Sequence, residues 1–258
     1  MQRYADVNGT RLNYTDTGAG SALVLVHGFP IDSEVWSDVA SVLAASFRVI
    51  NIDLRGFGES AASNAFSMRD LANDVAELMR TLNIAPCAMA GLSMGGYVLQ
   101  ALAKYRPEAI NRLILVDTKA EADNDAQRAG RDAMAHLAHT GGAEAIGEKM
   151  LPNLLHPNAS VEVVGRLKKI IHRQSPATLS AACVAMRDRE DFRLFLPLLR
   201  VPLGLVYGAQ DAISPVSLAQ QIQHAKFGAK LCVIENAGHL APLEQPLAVA
   251  RAIINLMQ

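Results

Sequence analysis

The chain has 258 residues, half of them hydrophobic and 19% charged, which is enough apolar material for a large core and too little charge for a disordered chain. Twenty-four basic residues against 25 acidic ones leave a net charge of −1, so neither nucleic acid nor an anionic membrane surface finds an electrostatic counterpart. Three widely spaced cysteines, Cys87, Cys183 and Cys232, form no CxxC and no zinc-finger pattern, which argues against a disulfide-stapled scaffold and against structural zinc.

The opening residues lack the apolar stretch of a signal peptide. No apolar run approaches the roughly 18 residues of a membrane span, so a soluble, cytoplasmic protein is expected. Asn8-Gly9 sits between two alternating stretches and predicts a tight β-hairpin. Short, continuously apolar runs follow: Leu23 to Val26, Val49 to Ile52, Cys87 to Ala90, Leu113 to Val116, Leu203 to Tyr207 and Leu231 to Ile234. Runs of this kind suit central strands of a parallel sheet covered on both faces. Between them, Met68 to Leu82 carries apolar residues at 68, 71, 75, 78, 79 and 82, the three-and-four spacing of an amphipathic helix. Gly95 to Lys104, Val216 to Ala225 and Leu247 to Met257 read the same way. Strand alternating with helix after a hairpin predicts an α/β protein with an open, mostly parallel sheet flanked by helices.

One interval breaks the rhythm. The 82 residues from Lys119 to Arg200 separate two strand candidates and are helical in pattern, punctuated at Gly141-Gly142, Pro152, Pro157 and Pro176. A structureless loop of that length would be out of place in a compact domain. A helical insertion over one end of the sheet fits, dividing the chain into a first core part at 1–118, a cap with a return helix at 119–200 and a second core part at 201–258.

Gly91-Leu92-Ser93-Met94-Gly95 directly follows the run ending at Ala90 and directly precedes a helix. A sharp strand-to-helix turn puts its central residue into strained backbone, needs small residues two positions to either side, and exposes the serine at the carboxyl end of the sheet. Ser93 is therefore the candidate nucleophile. Its hydroxyl needs a base, and the base an orienting carboxylate. His239, in the Gly-containing loop after the last strand candidate, is the expected base; His136, His139, His156, His172 and His224 read as surface residues. Asp211, following the penultimate strand, is the expected acid, with Asp117 at the end of Leu113 to Val116 as its rival. The developing oxyanion needs two N–H donors. Met94, after the nucleophile, and Phe29 in His27-Gly28-Phe29-Pro30 are in place to supply them, and His27 itself reads as a brace for that loop.

HGFP at 27–30, DLRGFGES at 53–60, GLSMGG at 91–96, GAQD at 208–211 and NAGHLAPLEQP at 236–246 together resemble the α/β-hydrolase superfamily over the whole chain. The nearest resemblance is to the small, capped bacterial carboxylesterases, with enol-lactonase, C–C hydrolase and perhydrolase relatives. The resemblance implies that fold, with a helical cap after the sixth strand. It assigns Ser93, His239 and Asp211 as nucleophile, base and acid, and the Phe29 and Met94 N–H groups as oxyanion hole. It implies acyl transfer needing neither metal nor organic cofactor. Ser93 in place of an aspartate argues against C–halogen cleavage, and Asp53 and Arg55 read as loop-pinning residues. Met134, Met150 and Met186 are expected to line a neutral, aromatic-poor roof with no convergent Arg or Lys, favouring a small or medium apolar ester. A slow-turnover ligand receptor is the alternative from another class, since fold does not fix function.

Overall fold

The computed structural model describes residues 2–258. The hairpin joins β1 (Gln2–Val7) to β2 (Thr10–Thr17) through Asn8 and Gly9, whose φ angles of 45° and 74° are the left-handed pair such a turn requires. β2 pairs antiparallel with β4 (Arg48–Ile52); β3 (Ala22–Val26), β4, β5 (Cys87–Leu92), β6 (Ile110–Val116), β7 (Leu203–Gly208) and β8 (Lys230–Ile234) are parallel. One eight-stranded sheet results, in the order β1-β2-β4-β3-β5-β6-β7-β8.

Successive side chains of the central strands enter two different cores. Val24 and Val26 pack on one face and Leu23 and Leu25 on the other; Leu113 and Leu115 against Ile114 and Val116 repeat the pattern. Burial on both faces is why these runs are continuously apolar. β8 departs from the central-strand expectation. It is an edge strand, with Lys230 and Val233 exposed and Leu231 and Cys232 only half-buried, one against each core.

Helices α2 (Met68–Thr81) and α3 (Met94–Tyr105) cover the first face, and α2 starts from a capping box between Ser67 and Asp70. Its apolar stripe is buried as spaced, and the buried Asp74 among it accepts a bidentate bond from Arg55, 2.7 and 2.8 Å. Helix α1 (Ser37–Leu43) covers the other face and had no counterpart in the periodicity, being only seven residues long.

Between β6 and β7 lie α4 (Asp125–Leu154), α5 (Val161–His172) and α6 (Pro176–Arg187). Gly142, at φ 68°, kinks α4, and Pro176 occupies the first turn of α6, where a missing N–H costs nothing. Small residues let α4 and α6 pack closely: Ala135, Ala138 and Ala143 on one, Ala181, Ala182 and Ala185 on the other. Helix α5 buries Leu167, Ile170 and Ile171 in the second core. It is also bolted to the loop between β3 and α1. Arg173 meets Asp32 at 2.5 Å and Glu34 at 2.6 Å, and Arg166 meets Glu34 at 3.2 Å and also Asp38. Helices α7 (Val216–Ala225), α8 (Ala241–Glu244) and α9 (Pro246–Met257) complete the chain. No helix among the described residues is long and apolar enough to cross a membrane.

Candidate active site

The turn from β5 into α3 holds Ser93 at φ 52° and ψ −112°, a conformation costing a non-glycine residue on the order of 1–3 kcal/mol. Its neighbours over-determine it. Ser93 N–H donates to Val116 O at 2.9 Å, and Thr118 Oγ1 donates to Ser93 O at 2.7 Å. A Cβ on Gly91 would lie 2.5 Å from Gly95 O, and one on Gly95 would lie 2.4 Å from Val26 O. Only glycines allow the turn to close and seat it against the end of β3.

His239 stands in the loop between β8 and α8. Glu244 fixes that loop, accepting from Gly238 N–H at 2.8 Å and from His156 N–H at 2.6 Å, so one carboxylate ties the histidine loop to the end of α4. Glu244 went unread in the sequence, although it lies in the NAGHLAPLEQP stretch; burial raises its pKa despite these donors. Gly208 gives the approach from β7: a Cβ there would sit 2.1 Å from Gly238 O. The chain then delivers Asp211, whose Oδ1 accepts from Ile213 and Ser214 N–H at 2.7 and 2.9 Å.

The three side chains meet. His239 Nε2 lies 2.8 Å from Ser93 Oγ, and His239 Nδ1 lies 2.8 Å from Asp211 Oδ2. All are buried, Ser93 at 8% exposure and His239 at 1%. Burial works against the Asp211 carboxylate, but His239 and the two N–H donors outweigh it and hold its pKa below the usual range. Asp211 therefore only accepts, which fixes the proton of a neutral His239 on Nδ1 and leaves Nε2 to accept from the serine hydroxyl.

The rival carboxylate sits behind this relay. Asp117 Oδ1 accepts from Gly208 N–H at 2.7 Å, and its Oδ2, also buried, has no partner among the described residues. Burial, with Asp211 nearby, pushes its pKa well up. No bond joins it to His239 among the described residues. On the other side, Gly28 brings the β3 loop within 3.1 Å of Ser93 Cβ, measured from where a Cβ on the glycine would be. Phe29 N–H has no hydrogen-bond partner among the described residues, and Met94, the first residue of α3, has no intrahelical acceptor. His27 braces this loop. Its Nδ1 lies 2.7 Å from Gly28 O, Leu54 N–H donates to Nε2 at 3.0 Å, and burial lowers its pKa, which keeps it neutral. Asp53 accepts from Ser33 N–H, Asn13 Nδ2 and Glu59 N–H, pinning loops away from Ser93. His136, His139, His172 and His224 are exposed and His156 is half-buried.

The underside of the insertion differs from the neutral roof expected of it. Met186 is buried in the apolar core, and Met134 and Met150 pack partly buried against it. Next to them, Asp123 is paired with Arg131 at 3.0 Å and Arg189 at 2.8 Å, and Arg189 lies 4.3 Å over the Tyr97 ring. Lys119 is also buried, at 8% exposure. These residues are far apart in sequence, which is why no convergent charge was legible. Among the described residues no three His, Cys, Asp or Glu side chains gather as a metal would need. A cavity of about 500 Å³ lies elsewhere, lined by Asn13, Asp32, Asp53 and Arg173 among others, and contains none of the Ser–His–Asp residues.

Comparison with known proteins gives this geometry a family. A model of the alpha/beta hydrolase fold matches residues 21–246. An esterase from Thermogutta terrifontis, solved with malate bound, superposes with a TM-score of 0.95 at 34% identity, covering 100% of this chain and 98% of that one. The enol-lactonase from Burkholderia xenovorans LB400 superposes with a TM-score of 0.91 at 27% identity, covering 99% of each chain. A pimeloyl-[acyl-carrier protein] methyl ester esterase from Neisseria meningitidis is 30% identical over 235 residues, 88% of this chain and 73% of the relative. With its parallel sheet, its strained serine turn between β5 and α3, and its helical insertion after β6, the chain belongs to the alpha/beta hydrolase family.

Proposed function

We propose that the protein is a serine hydrolase of small or medium carboxylic esters, working through an acyl-enzyme on Ser93. The observation that carries this is the unbroken relay of two 2.8 Å contacts from Ser93 through His239 to Asp211. A serine hydroxyl attacks a carbonyl only when its proton has somewhere to go, and the relay supplies that acceptor with its tautomer already set.

In the proposed cycle Ser93 Oγ attacks the ester carbonyl carbon as its proton passes to His239 Nε2. The oxygen of the tetrahedral intermediate takes the charge and is met by Phe29 and Met94 N–H. Imidazolium returns its proton to the departing alkoxide, releasing the alcohol. Water, deprotonated by His239, then attacks the acyl carbonyl, and Ser93 leaves with the proton restored. Asp211 stays ionised throughout and stabilises the imidazolium. The relatives named as an esterase, a methyl ester esterase and an enol-lactonase all open a carboxylic ester bond, open-chain or cyclic, and so favour this chemistry over transfer to other acceptors. Cys87, Cys183 and Cys232 form no disulfide among the described residues, which suits a cytoplasmic enzyme.

The test is multiple-turnover hydrolysis of a p-nitrophenyl ester series, with the reaction quenched for intact mass. Turnover with a transient adduct of acyl mass, both absent from Ser93→Ala, is the expected result. Release of no more than one equivalent of nitrophenol would instead make the protein a receptor that is acylated once.

A further inference from the structure

Two buried hydroxyls beside the relay bond to backbone carbonyls rather than to its side chains. Thr118 and Tyr207 are fully buried, and valine or phenylalanine would fill the same space without desolvating a polar group. Thr118 Oγ1 donates to Ser93 O at 2.7 Å, and Tyr207 Oη donates to Thr118 O. Thr118 is also seated tightly: a Cβ on Gly96, in the first turn of α3, would lie 2.6 Å from its Oγ1.

These bonds belong to one connected set. Leu92 lies opposite Val116 and Val116 opposite Val206, so Ser93, Asp117 and Tyr207 are the next residues along three adjacent strands. Ser93 N–H donates to Val116 O at 2.9 Å, and Asp117 N–H to Val206 O at 3.1 Å. Asp117, like Ser93, has left-handed backbone, at φ 45°. From that turn its Oδ1 accepts from Gly208 N–H at 2.7 Å, while the following Thr118 reaches back to Ser93. Gly208 O accepts from Asp211 N–H at 3.2 Å, closing the turn that presents the acid. Residues 116–118 thus join the nucleophile turn to the acid turn by a route that does not pass through His239. The route through His239 changes during acyl transfer, because an esterified Ser93 has no proton to donate and the imidazole alternates between neutral and charged. The hydroxyls of Thr118 and Tyr207 and the carbonyls they hold take no part in that cycle.

We infer that Thr118 is a positioning residue for acyl transfer, with Tyr207 behind it. Their hydroxyls hold the strained Ser93 turn at the spacing from Asp211 that lets His239 bond both. The inference rests on the serine-hydrolase reading above, which it deepens.

The experiment deletes one hydroxyl at a time. Thr118→Val and Tyr207→Phe keep the shape and lose the donor, while Thr118→Ser keeps the donor. The readouts are kcat and KM for a p-nitrophenyl ester, the rate of Ser93 labelling by an alkyl fluorophosphonate, and the urea midpoint. Under conditions where it is fully folded, Thr118→Val should lower kcat and the labelling rate about tenfold or more, with KM within about twofold of the wild type. Thr118→Ser should bring both rates back to within about threefold. Tyr207→Phe should lower them about threefold, and should add little to Thr118→Val, because Tyr207 acts through Thr118. A Thr118→Val protein with a lower urea midpoint but wild-type rates would make the hydroxyl merely structural and overturn the inference. A loss that Thr118→Ser does not restore would overturn it as well. Should Thr118→Val fail to fold, Tyr207→Phe decides: slower rates support the inference and wild-type rates overturn it. A wild type that neither turns over an ester nor takes the label would remove the hydrolase reading and this inference with it.

Discussion

The ends of the central strands and the underside of the insertion hold their charged groups in opposite ways. At the strand ends every polar atom of the relay has a partner: Asp211 accepts three bonds, His239 uses both ring nitrogens, and Ser93 is held by Val116 and Thr118. Under the insertion Asp123 stands between two guanidinium groups while Lys119 has no bonded partner among the described residues. The first arrangement is complete in the free protein and suits a group that must be preorganised before substrate arrives. The second shares one carboxylate between two cations, with a third close by.

The sharpest way to break this comparison is at the strand ends. Ser93→Ala and His239→Ala should each reduce kcat on the order of 10⁶-fold, and the double variant should lose little more, because the two act as one unit. Losses that multiply in the double variant would mean the relay does not work as a unit.

Asp211→Asn should cost on the order of 10⁴-fold by disturbing the histidine tautomer, with kcat the parameter that falls. Asp117→Asn should leave activity near that of the wild type, and its effect appears in stability instead. Asp117 has a folded pKa raised well above the ordinary 3.8 by burial and by Asp211. Above about pH 4 the unfolded chain gives up this proton while the folded protein keeps it, so the carboxyl costs stability progressively as pH rises toward its folded pKa. Asp117→Asn should therefore denature at higher urea than the wild type at pH 7, with the advantage shrinking toward pH 4. Asp211, with its lowered pKa, contributes the opposite dependence: stability present above the unfolded value and lost as pH falls through the folded one.

Under the insertion, Asp123→Leu should cost about 3–5 kcal/mol in chemical denaturation, since it leaves the buried Arg189 and the half-buried Arg131 without their carboxylate, close to the cationic Lys119. Adding Lys119→Met to that variant should recover part of the loss, because the like charges then number two instead of three. A double variant no more stable than Asp123→Leu would mean that Lys119 is better solvated than its burial indicates.

The smallest effect belongs to the bolt between α5 and the β3–α1 loop. Arg173 is 42% exposed although its partner Asp32 is buried, so Arg173→Ala should lower stability by only about 1 kcal/mol, with the difference narrowing in high salt. A larger effect would make this ion pair a main support of the insertion.

The same contrast explains what the sequence made legible. Ser93, Asp211, His239, Phe29 and Met94 each directly follow an apolar run or a glycine-bearing loop, so local pattern places them at the carboxyl end of the sheet. Two-faced burial makes those runs easy to recognise, whereas β8 shows the limit: an edge strand only partly covered reads just as apolar over four residues. Glu244 was missed because its work is to accept two backbone N–H groups, one from a segment 88 residues away, and nothing in a helix N-terminal Pro-Leu-Glu announces that. Lys119, Arg131 and Arg189 come from a strand end, a helix and a loop. In sequence they are ordinary charges in a mixed interval, and only the packing of α4 and α6 over α3 brings them together.

The central claim is that Ser93 is an activated nucleophile, and intact mass after reaction with an alkyl fluorophosphonate tests it without assuming a substrate. The account predicts one phosphonyl adduct on the wild type, mapped to Ser93, none on Ser93→Ala, and labelling slowed by orders of magnitude on His239→Ala. Labelling of His239→Ala at the wild-type rate, or an adduct that persists in Ser93→Ala, would contradict it.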